Sequence, residues 1–314
     1  MDRILKEPVR VTNTIHIERD LVFTEDGERL FYTSDASGEV EIWQATHDRE
    51  DGIWWMADAF ELRTVTDDEA VERGLELSPN GTHVAYVRGT DLFVMDADGT
   101  DHRRVAAMWS APSFSWSPDG RWITYATQDD DYNSDIHIVP LDGMREPFNL
   151  SRHPDSDRGP VWSGDGKRIA WTGRRDGEEY DIYWVDLTKA ASEGTERDEL
   201  LEKALKAMEP EKGGPGKKSP GKKEPEKSDP GEGAGEEREK PAPDEKEASD
   251  EVDDAVRIDF DGILDRVSRI RIQDSFESDL TWFDDGATLG FNATIDGRSG
   301  FHKVSFPQIG RAHV

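Results

Sequence analysis

Serine, histidine and aspartate, the residue types of a hydrolytic triad, all occur in this sequence, but their spacing predicts no nucleophile. A serine nucleophile needs a special turn with an oxyanion hole beside it, and the Gly-x-Ser-x-Gly pattern of such a turn is absent. The chain has no cysteine, which excludes a thiolate nucleophile, thiolate metal ligands and disulfides. We therefore predict no catalytic residue in this sequence.

Histidines and an acidic run are the remaining candidates for metal chemistry. No histidine has a metal-type partner two or four residues away in a consistent context, so each is interpreted as a structural or surface residue; they are His16, His47, His83, His102, His137, His153, His302 and His313. The run Asp96–Asp101 resembles a calcium loop but lacks the glycine after its third acid and the glutamate at the twelfth position that an EF-hand requires, and is interpreted as a turn. We predict no metal and no cofactor.

Two further groups of charged residues leave alternatives open. The run 129–133 (Asp-Asp-Asp-Tyr-Asn) is either a solvated loop or a local contact for a metal or a peptide. Four arginines could meet the carboxylates of a peptide or form surface salt bridges; they are Arg152, Arg158, Arg174 and Arg175.

The elements that would position these residues repeat five times along the chain. Each repeat contains an Asp-Gly or Asn-Gly dipeptide, a strong hairpin pattern because glycine adopts positive φ at no steric cost; the dipeptides begin at Asp26, Asn80, Asp119, Asp165 and Asp285. Three residues before each stands a large apolar residue: Phe23, Leu77, Trp116, Trp162 and Trp282. Four residues after each stands an aliphatic one: Leu30, Val84, Ile123, Ile169 and Leu289. Six residues after each stands an aromatic one: Tyr32, Tyr86, Tyr125, Trp171 and Phe291.

These offsets predict a strand, a tight turn and a second strand with one buried face, because side chains alternate along a strand with a period of two. A third strand opens with an acid and an aliphatic residue in four repeats, at Glu41, Asp91, Asp135 and Asp181. A fourth, outer strand is predicted at 60–65, 102–106 and 148–151. Four short antiparallel strands per unit are typical of a propeller blade. The predicted fold class is an all-β propeller with five blades visible, which is fewer than most rings contain.

A long insertion separates the fourth and fifth turns. Residues 196–208 have helical spacing, whereas residues 209–254 are rich in proline and charge and too poor in apolar residues to fold. The cluster Lys217, Lys218, Lys222 and Lys223 is either part of a plain disordered loop or of a tethered recognition arm. The alternating stretch 267–272 is predicted to complete the fourth blade as its outer strand.

The predicted organisation has four parts. Residues 1–188 form blades 1–4, residues 189–255 form the short helix and insertion, and residues 256–307 finish blade 4 and begin blade 5. Residues 308–314 resemble the translation of a sequencing-library adapter, as if the reading frame had run off a DNA fragment.

Charge and hydropathy narrow the class of protein. The formal net charge of −30 opposes binding to a phosphate backbone, so we expect no nucleic-acid partner. No apolar run approaches the ~18 residues of a membrane span, so we expect no membrane partner. The first residues lack the apolar segment of a signal peptide. We expect a cytoplasmic chain, unless the true start lies upstream.

Several motifs resemble one family. The turn Ser117-Pro118-Asp119-Gly120 is similar to the turns of TolB and tricorn propellers. More specific are the stretches 149–155 (Asn-Leu-Ser-Arg-His-Pro-Asp), 159–162 (Gly-Pro-Val-Trp), 259–263 (Asp-Phe-Asp-Gly-Ile) and 265–267 (Asp-Arg-Val). With the charged insertion between them, these resemble the N-terminal propeller region of bacterial tricorn-type serine peptidases over residues 10–306.

The resemblance implies a function for the parent protein. In that family, propellers that admit and filter peptides precede a PDZ domain and a catalytic domain, so the implied partners are peptides or unfolded polypeptide and these missing domains. Family members are often multimeric, which implies homo-oligomerisation of the full-length protein. The catalytic serine lies downstream in the family, and no position here matches it. Two alternatives stay open, a TolB-like protein-binding propeller without enzyme activity and the propeller of a prolyl-oligopeptidase-like enzyme.

Overall fold

The computed structural model describes residues 9–49, 53–176, 179–193, 255–283, 286–295 and 297–306. Within these residues the chain forms five antiparallel sheets, four with four strands and one with three, and each sheet uses strands that are consecutive in the sequence. Each sheet is one blade, which confirms the predicted fold class. Two short 3₁₀ helices, Trp54–Met56 and Ile263–Arg266, lie outside the sheets.

The strands follow one another in the same order within every blade. Blade 1 contains β1 (Glu18–Phe23), β2 (Arg29–Ser34), β3 (Glu41–His47) and β4 (Phe60–Thr64). Blade 2 contains β5 (Glu72–Leu77), β6 (His83–Arg88), β7 (Asp91–Asp96) and β8 (Arg103–Ala106). Blade 3 contains β9 (Ser113–Trp116), β10 (Trp122–Gln128), β11 (Ser134–Pro140) and β12 (Phe148–Asn149). Blade 4 contains β13 (Asp157–Trp162), β14 (Arg168–Asp176), β15 (Glu179–Asp186) and β16 (Val267–Ile270), and blade 5 contains β17 (Ser278–Trp282), β18 (Thr288–Ile295) and β19 (Arg298–Ser305).

The apolar core lies between the blades. Separate clusters of buried side chains join blade 1 to blade 2, blade 2 to blade 3, blade 3 to blade 4 and blade 4 to blade 5. The aliphatic and aromatic residues at four and six positions after each turn are all buried, as predicted. The expectation of one buried face was wrong for the second strands, because Phe31, Ala85, Thr124 and Ala170 on the opposite face are also buried. Blades 2, 3 and 4 each lie between two sheets and must bury both faces, whereas the second face of blade 1 packs against Val11 and Trp54.

The turns between the first and second strands have one geometry. Gly27, Gly81, Gly120, Gly166 and Gly286 all have φ between +61° and +69°, as the Asp-Gly pattern predicts. In four of these turns a hydroxyl two residues earlier donates to the aspartate or asparagine side chain, as in Ser117 Oγ to Asp119 Oδ1 at 2.5 Å. The apolar residue before the first turn differs from prediction, since Phe23 is 48% exposed and packs edge-on against Trp54.

The stretch after the insertion completes blade 4. The strand β16 pairs with β15 in antiparallel register, Ile182 facing Ile270, which confirms the prediction for the beginning of 267–272. The two described ends of the insertion lie together, because Lys189 donates its backbone N–H to Asp259 at 2.8 Å and its ammonium to Asp261 at 2.9 Å. The predicted helix at 196–208, the disordered stretch at 209–254 and the segment 308–314 lie outside the described residues.

Among the described residues, no helix has the length and apolar character needed to cross a lipid bilayer.

Candidate functional site at the inner strands

The two ends of the blades carry different connections. One end, here called the turn end, carries the Asp-Gly or Asn-Gly turns between first and second strands and, because the strands are antiparallel, the connections between third and fourth strands. The opposite end, here called the loop end, carries the connections between second and third strands. The insertion leaves and returns at the turn end, where the backbone N–H of Val256 donates to Asp119 at 2.9 Å.

A cavity of about 720 Å³ lies among the first strands of blades 1, 2 and 3, on the side of the loop end. Its lining includes charged residues of β1 and β5, apolar residues between the sheets, and the start of β9. The first strands β5 and β9 lie farther apart than β1 and β5 or β9 and β13 do. A cleft between neighbouring inner strands is a typical place for a ligand because it is concave and already formed.

A left-handed residue interrupts the first strand in four of the five blades. It stands six residues before the turn residue and accompanies a shift in the register of the strand pair; the four residues are Asp20, Gly74, Gly159 and Asp279. Such bulges bend a strand and break the regular line of its backbone groups. Asp20 also joins two blades, because its carboxylate accepts the backbone N–H of Gly74 at 2.9 Å.

Blade 3 is the exception. Ser113 occupies the equivalent position, and β9 pairs with β10 without a register shift. The backbone N–H of Ser117 donates to the carbonyl of Trp122, so Phe114 falls at a position where the N–H and C=O point away from β10. The open edge of β9 is therefore regular where it borders the cavity.

Pairs of acids, all buried except the half-buried Asp135, mark the loop end at three of the four blade junctions. The first acid opens the third strand of one blade, and the second stands eight residues before the turn of the next blade; the pairs are Glu41 with Glu72, Asp135 with Asp157, and Asp181 with Glu277. Arginines offset the charge, since Arg175 contacts Asp157 at 2.9 Å and Arg269 contacts Asp181. At the remaining junction Ala111 replaces the second acid, and Asp91 instead accepts the backbone N–H of Met108 at 2.9 Å.

Burial raises the pKa of three of these acids. Desolvation, followed by repulsion from Glu41, raises the pKa of Glu72 to about 8. Desolvation also raises the pKa of Glu277 to about 7 and the pKa of Asp157 above its ordinary value. Glu76 differs from them, because it is exposed to the cavity, whose concave wall displaces enough water to raise its pKa to about 7.

The structure assigns local roles to the histidines that it describes. His16 contacts Asp35 at 3.2 Å, His102 bonds to the hydroxyl of Tyr86 at 2.8 Å, and His137 stacks on Tyr125. Within the described ranges no three histidine or acidic side chains converge as metal ligands would. His313 lies outside the described residues.

The two acidic runs form turns. Asp98 accepts the backbone N–H of Thr100 in the connection between β7 and β8, which confirms the interpretation of 96–101 as a turn. In the connection between β10 and β11, Asp129 accepts the backbone N–H groups of Asp131 and Asn133 at 2.9 Å each. This second run lies at the loop end, beside the exposed indole of Trp109.

The four predicted arginines are engaged within the protein. Arg174 pairs with Asp155 at 2.8 Å and Arg175 with Asp157. The guanidinium of Arg158 lies 3.8 Å from the ring centroid of Tyr180, and that of Arg152 lies 5.4 Å from that of Phe148. The salt-bridge alternative is therefore confirmed for Arg174 and Arg175, although the second bridge is buried rather than superficial.

Sequence reasoning missed Glu76 and the buried acids. The acids had a detectable pattern, because Glu18, Glu72, Asp157 and Glu277 all stand eight residues before their turns. No sequence pattern identified Glu76, because its place in the cavity depends on how β1, β5 and β9 are arranged in three dimensions.

Comparisons with known proteins support the fold. No family model matches the chain. Dipeptidyl-peptidase 5 of Porphyromonas gingivalis is 30% identical over 177 residues, which cover 51% of this chain and 24% of that protein. The chain therefore spans about a quarter of the length of this relative.

Solved structures resemble nearly the whole chain at low identity. The tricorn protease matches with a TM-score of 0.54 and 11% identity over 92% of this chain and 24% of its own. A prolyl endopeptidase structure matches with a TM-score of 0.52 and 12% identity over 95% and 35% of the two chains. Oligogalacturonate lyase of Vibrio parahaemolyticus matches with a TM-score of 0.55 and 10% identity over 95% and 65%. At such identities the likeness is one of fold, and by that likeness and its five repeated sheets the chain is a β-propeller region.

Proposed function

We propose that this chain is the polypeptide-binding propeller of a larger peptidase, which admits or filters peptides for a catalytic domain outside the sequence. The observation that carries the proposal is the cavity of about 720 Å³ beside the regular edge of β9. An extended peptide can add to an exposed strand edge through main-chain hydrogen bonds, while a neighbouring pocket receives one of its side chains.

Two kinds of parent enzyme fit this role. The likeness of fold to the tricorn protease supports a tricorn-type serine peptidase, in which a PDZ domain and a peptidase domain would follow the propeller. The likeness of fold to a prolyl endopeptidase supports the alternative, a prolyl-oligopeptidase-like enzyme. The sequence similarity to dipeptidyl-peptidase 5 supports a peptidase parent in either case. The downstream reading frame separates them, because a Gly-x-Ser-x-Gly turn is expected only in the second. A TolB-like binding protein without enzyme activity would show neither catalytic domain.

Binding of an unstructured peptide tests the proposal directly. We expect the purified chain to bind a casein-derived peptide in isothermal titration, and to bind the same peptide more weakly when alternate backbone nitrogens are methylated. Methylation removes main-chain donors without changing the side chains, so it weakens strand addition selectively. Equal affinity for both peptides would contradict strand addition, and absence of binding would contradict the proposed function.

The same preparation should not cleave casein or small peptide substrates. The reason is that no serine, histidine and acid here have the spacing of a hydrolytic centre. Hydrolysis that survives purification and disappears on substitution of a serine within 1–307 would refute this part of the proposal.

A further inference from the structure

Glu76 is the carboxylate of the inner-strand cavity that has no partner in the described residues. It lies on β5 and lines the cavity, and no hydrogen bond or ion pair to its side chain occurs among the residues that the structure describes. The other acids of the lining are engaged. Asp20 accepts the N–H of Gly74, and Asp35 accepts the N–H of Ile17 at 3.0 Å.

The basic residues of the lining do not neutralise Glu76. Arg73 directs its guanidinium to the carbonyl of Gly89 at 2.8 Å, and Arg19 forms no ion pair within the described ranges. Glu72 contacts Thr66 and Arg88 instead of Glu76. The pKa of Glu76 agrees with this, because desolvation by the concave wall raises it and no cation lowers it.

The rest of the cavity wall is suited to an aliphatic stem. Val71 and Val87 line the cavity from blade 2, and Pro112 and Phe114 line it from blade 3. A lysine or arginine side chain consists of such a stem with a charged head, and it gains most when the stem contacts apolar groups while the head meets a carboxylate.

We infer that the cavity is a subsite for a basic side chain of a bound peptide, with Glu76 as the carboxylate that receives its charged head. This inference rests on the proposed function, since a polypeptide must first reach the inner strands. It adds a substrate class to that function, namely extended peptides that carry lysine or arginine at the residue beside β9. The net charge of −30 favours the approach of such peptides over long distances.

The experiment compares three peptides of one length in isothermal titration at fixed ionic strength. The first is acetylated and amidated with one central lysine, and the second replaces the lysine by norleucine, which keeps the stem and removes the charge. We expect the lysine peptide to bind about tenfold more tightly, the effect of one charge-assisted hydrogen bond. The third carries norleucine and a free amino terminus, and is expected to bind like the second.

Variants assign the preference to one residue. Glu76→Gln should lower the affinity for the lysine peptide to the norleucine level and leave the norleucine affinity unchanged. Glu76→Lys should reject the lysine peptide. The matched control is Glu61→Gln, which removes an equal charge from an exposed position on β4, remote from the cavity, and should keep the tenfold preference. Unchanged unfolding midpoints would show that all three variants fold.

Three outcomes would overturn the inference. These are equal affinity of the unmodified protein for lysine and norleucine, a lysine preference that survives in Glu76→Gln, and tight binding of the third peptide, which would assign the charge to a chain terminus. Failure of the proposed function is distinguishable, because in that case neither the lysine nor the norleucine peptide binds.

Discussion

Buried acids at the blade junctions couple protonation to folding at the level of single residues. Glu72 is fully buried, contacts Thr66 and Arg88, and shares its environment with Glu41. Its pKa rises from 4.5 to about 8 chiefly because burial disfavours the charged form. The folded state therefore holds a proton that the unfolded chain releases at much lower pH.

The sign of the pH dependence follows from this difference. A raised carboxyl pKa contributes stability that is complete below the unfolded pKa near 4.5 and is lost as the pH rises through about 8. We expect Glu72→Gln, which resembles the protonated form at every pH, to reduce this loss. The variant should gain on the order of 1–3 kcal/mol relative to the unmodified protein between pH 5 and pH 8.

Urea unfolding at four pH values across this range measures the effect. Glu61→Gln serves as the control, because Glu61 is exposed and should not change the slope. Parallel curves for Glu72→Gln and the unmodified protein would show that Glu72 does not retain its proton in the folded state.

Single residues also show where sequence reasoning succeeded and where it failed. Tyr86 and Trp171 were predicted to be buried from their offset to a turn, because a strand's period of two fixes which face a side chain occupies. The partner of Glu72 could not be predicted, because the distance between Glu41 and the following blade depends on how two sheets pack. Phe23 had the correct offset but is half exposed, since the offset does not specify whether a neighbour covers it.

At the scale of the element, the first turns of blades 2, 3 and 5 closely approach the turn of the blade before them. A Cβ atom on Gly120 would lie 2.5 Å from the side chain of Asn80, which is itself fixed by a hydrogen bond to the carbonyl of Asp119 at 2.9 Å. A Cβ atom on Gly166 would likewise meet Val256, and one on Gly286 would meet Asp165. The glycines therefore provide both the left-handed turn and the close approach of neighbouring blades.

Two alanine substitutions separate these roles. Gly89→Ala changes a glycine with φ of +62° whose Cβ would meet nothing within 4 Å, so it should cost only the left-handed strain of about 1–2 kcal/mol. Gly120→Ala should cost about 1–3 kcal/mol more, because the methyl group displaces Asn80. Thermal unfolding followed by tryptophan fluorescence measures both. Equal losses would mean that Asn80 moves aside freely.

The elements were predicted better than their irregularities. Alternation and turn dipeptides indicated the first three strands of the blades, and the structure shifts the predicted outer strands by one or two residues at most. The left-handed residues at Asp20 and Asp279 were not predicted, because an aspartate inside an apolar strand has no local pattern that specifies positive φ. Because these bulges were not predicted, the contrast with the regular strand β9 and the cavity beside it could not be predicted either.

At the scale of the molecule, the insertion begins and ends at one clamp. Lys189 bonds to Asp259 and Asp261, and Arg266 donates to the carbonyl of Asp186 at 2.9 Å. The residues just before the insertion are therefore bonded directly to the residues just after it. Closing a shorter loop costs less entropy, by about 0.6 kcal/mol for each halving of its length.

Replacement of 194–254 by a flexible linker of about eight residues should therefore leave the fold intact. We expect the free energy of unfolding in urea to rise by about 1–2 kcal/mol, and the affinity for peptide to stay unchanged. The control keeps the full sequence and substitutes Asp259→Ala and Asp261→Ala, which should destabilise the outer edge of blade 4. Loss of folding after the replacement would show that the insertion contributes to the core.

The clamp also separates the attachment points of the insertion from the cavity, because the two lie at opposite ends of the blades. The insertion leaves after Glu193 and returns at Ala255 at the turn end, among the glycine turns. The cavity lies on the side of the loop end. A fluorophore, an affinity tag or an entire domain inserted between Glu193 and Ala255 would therefore be attached at the end of the blades opposite the cavity. The protein could thus be immobilised or labelled on one side while its other side remains free to accept a ligand.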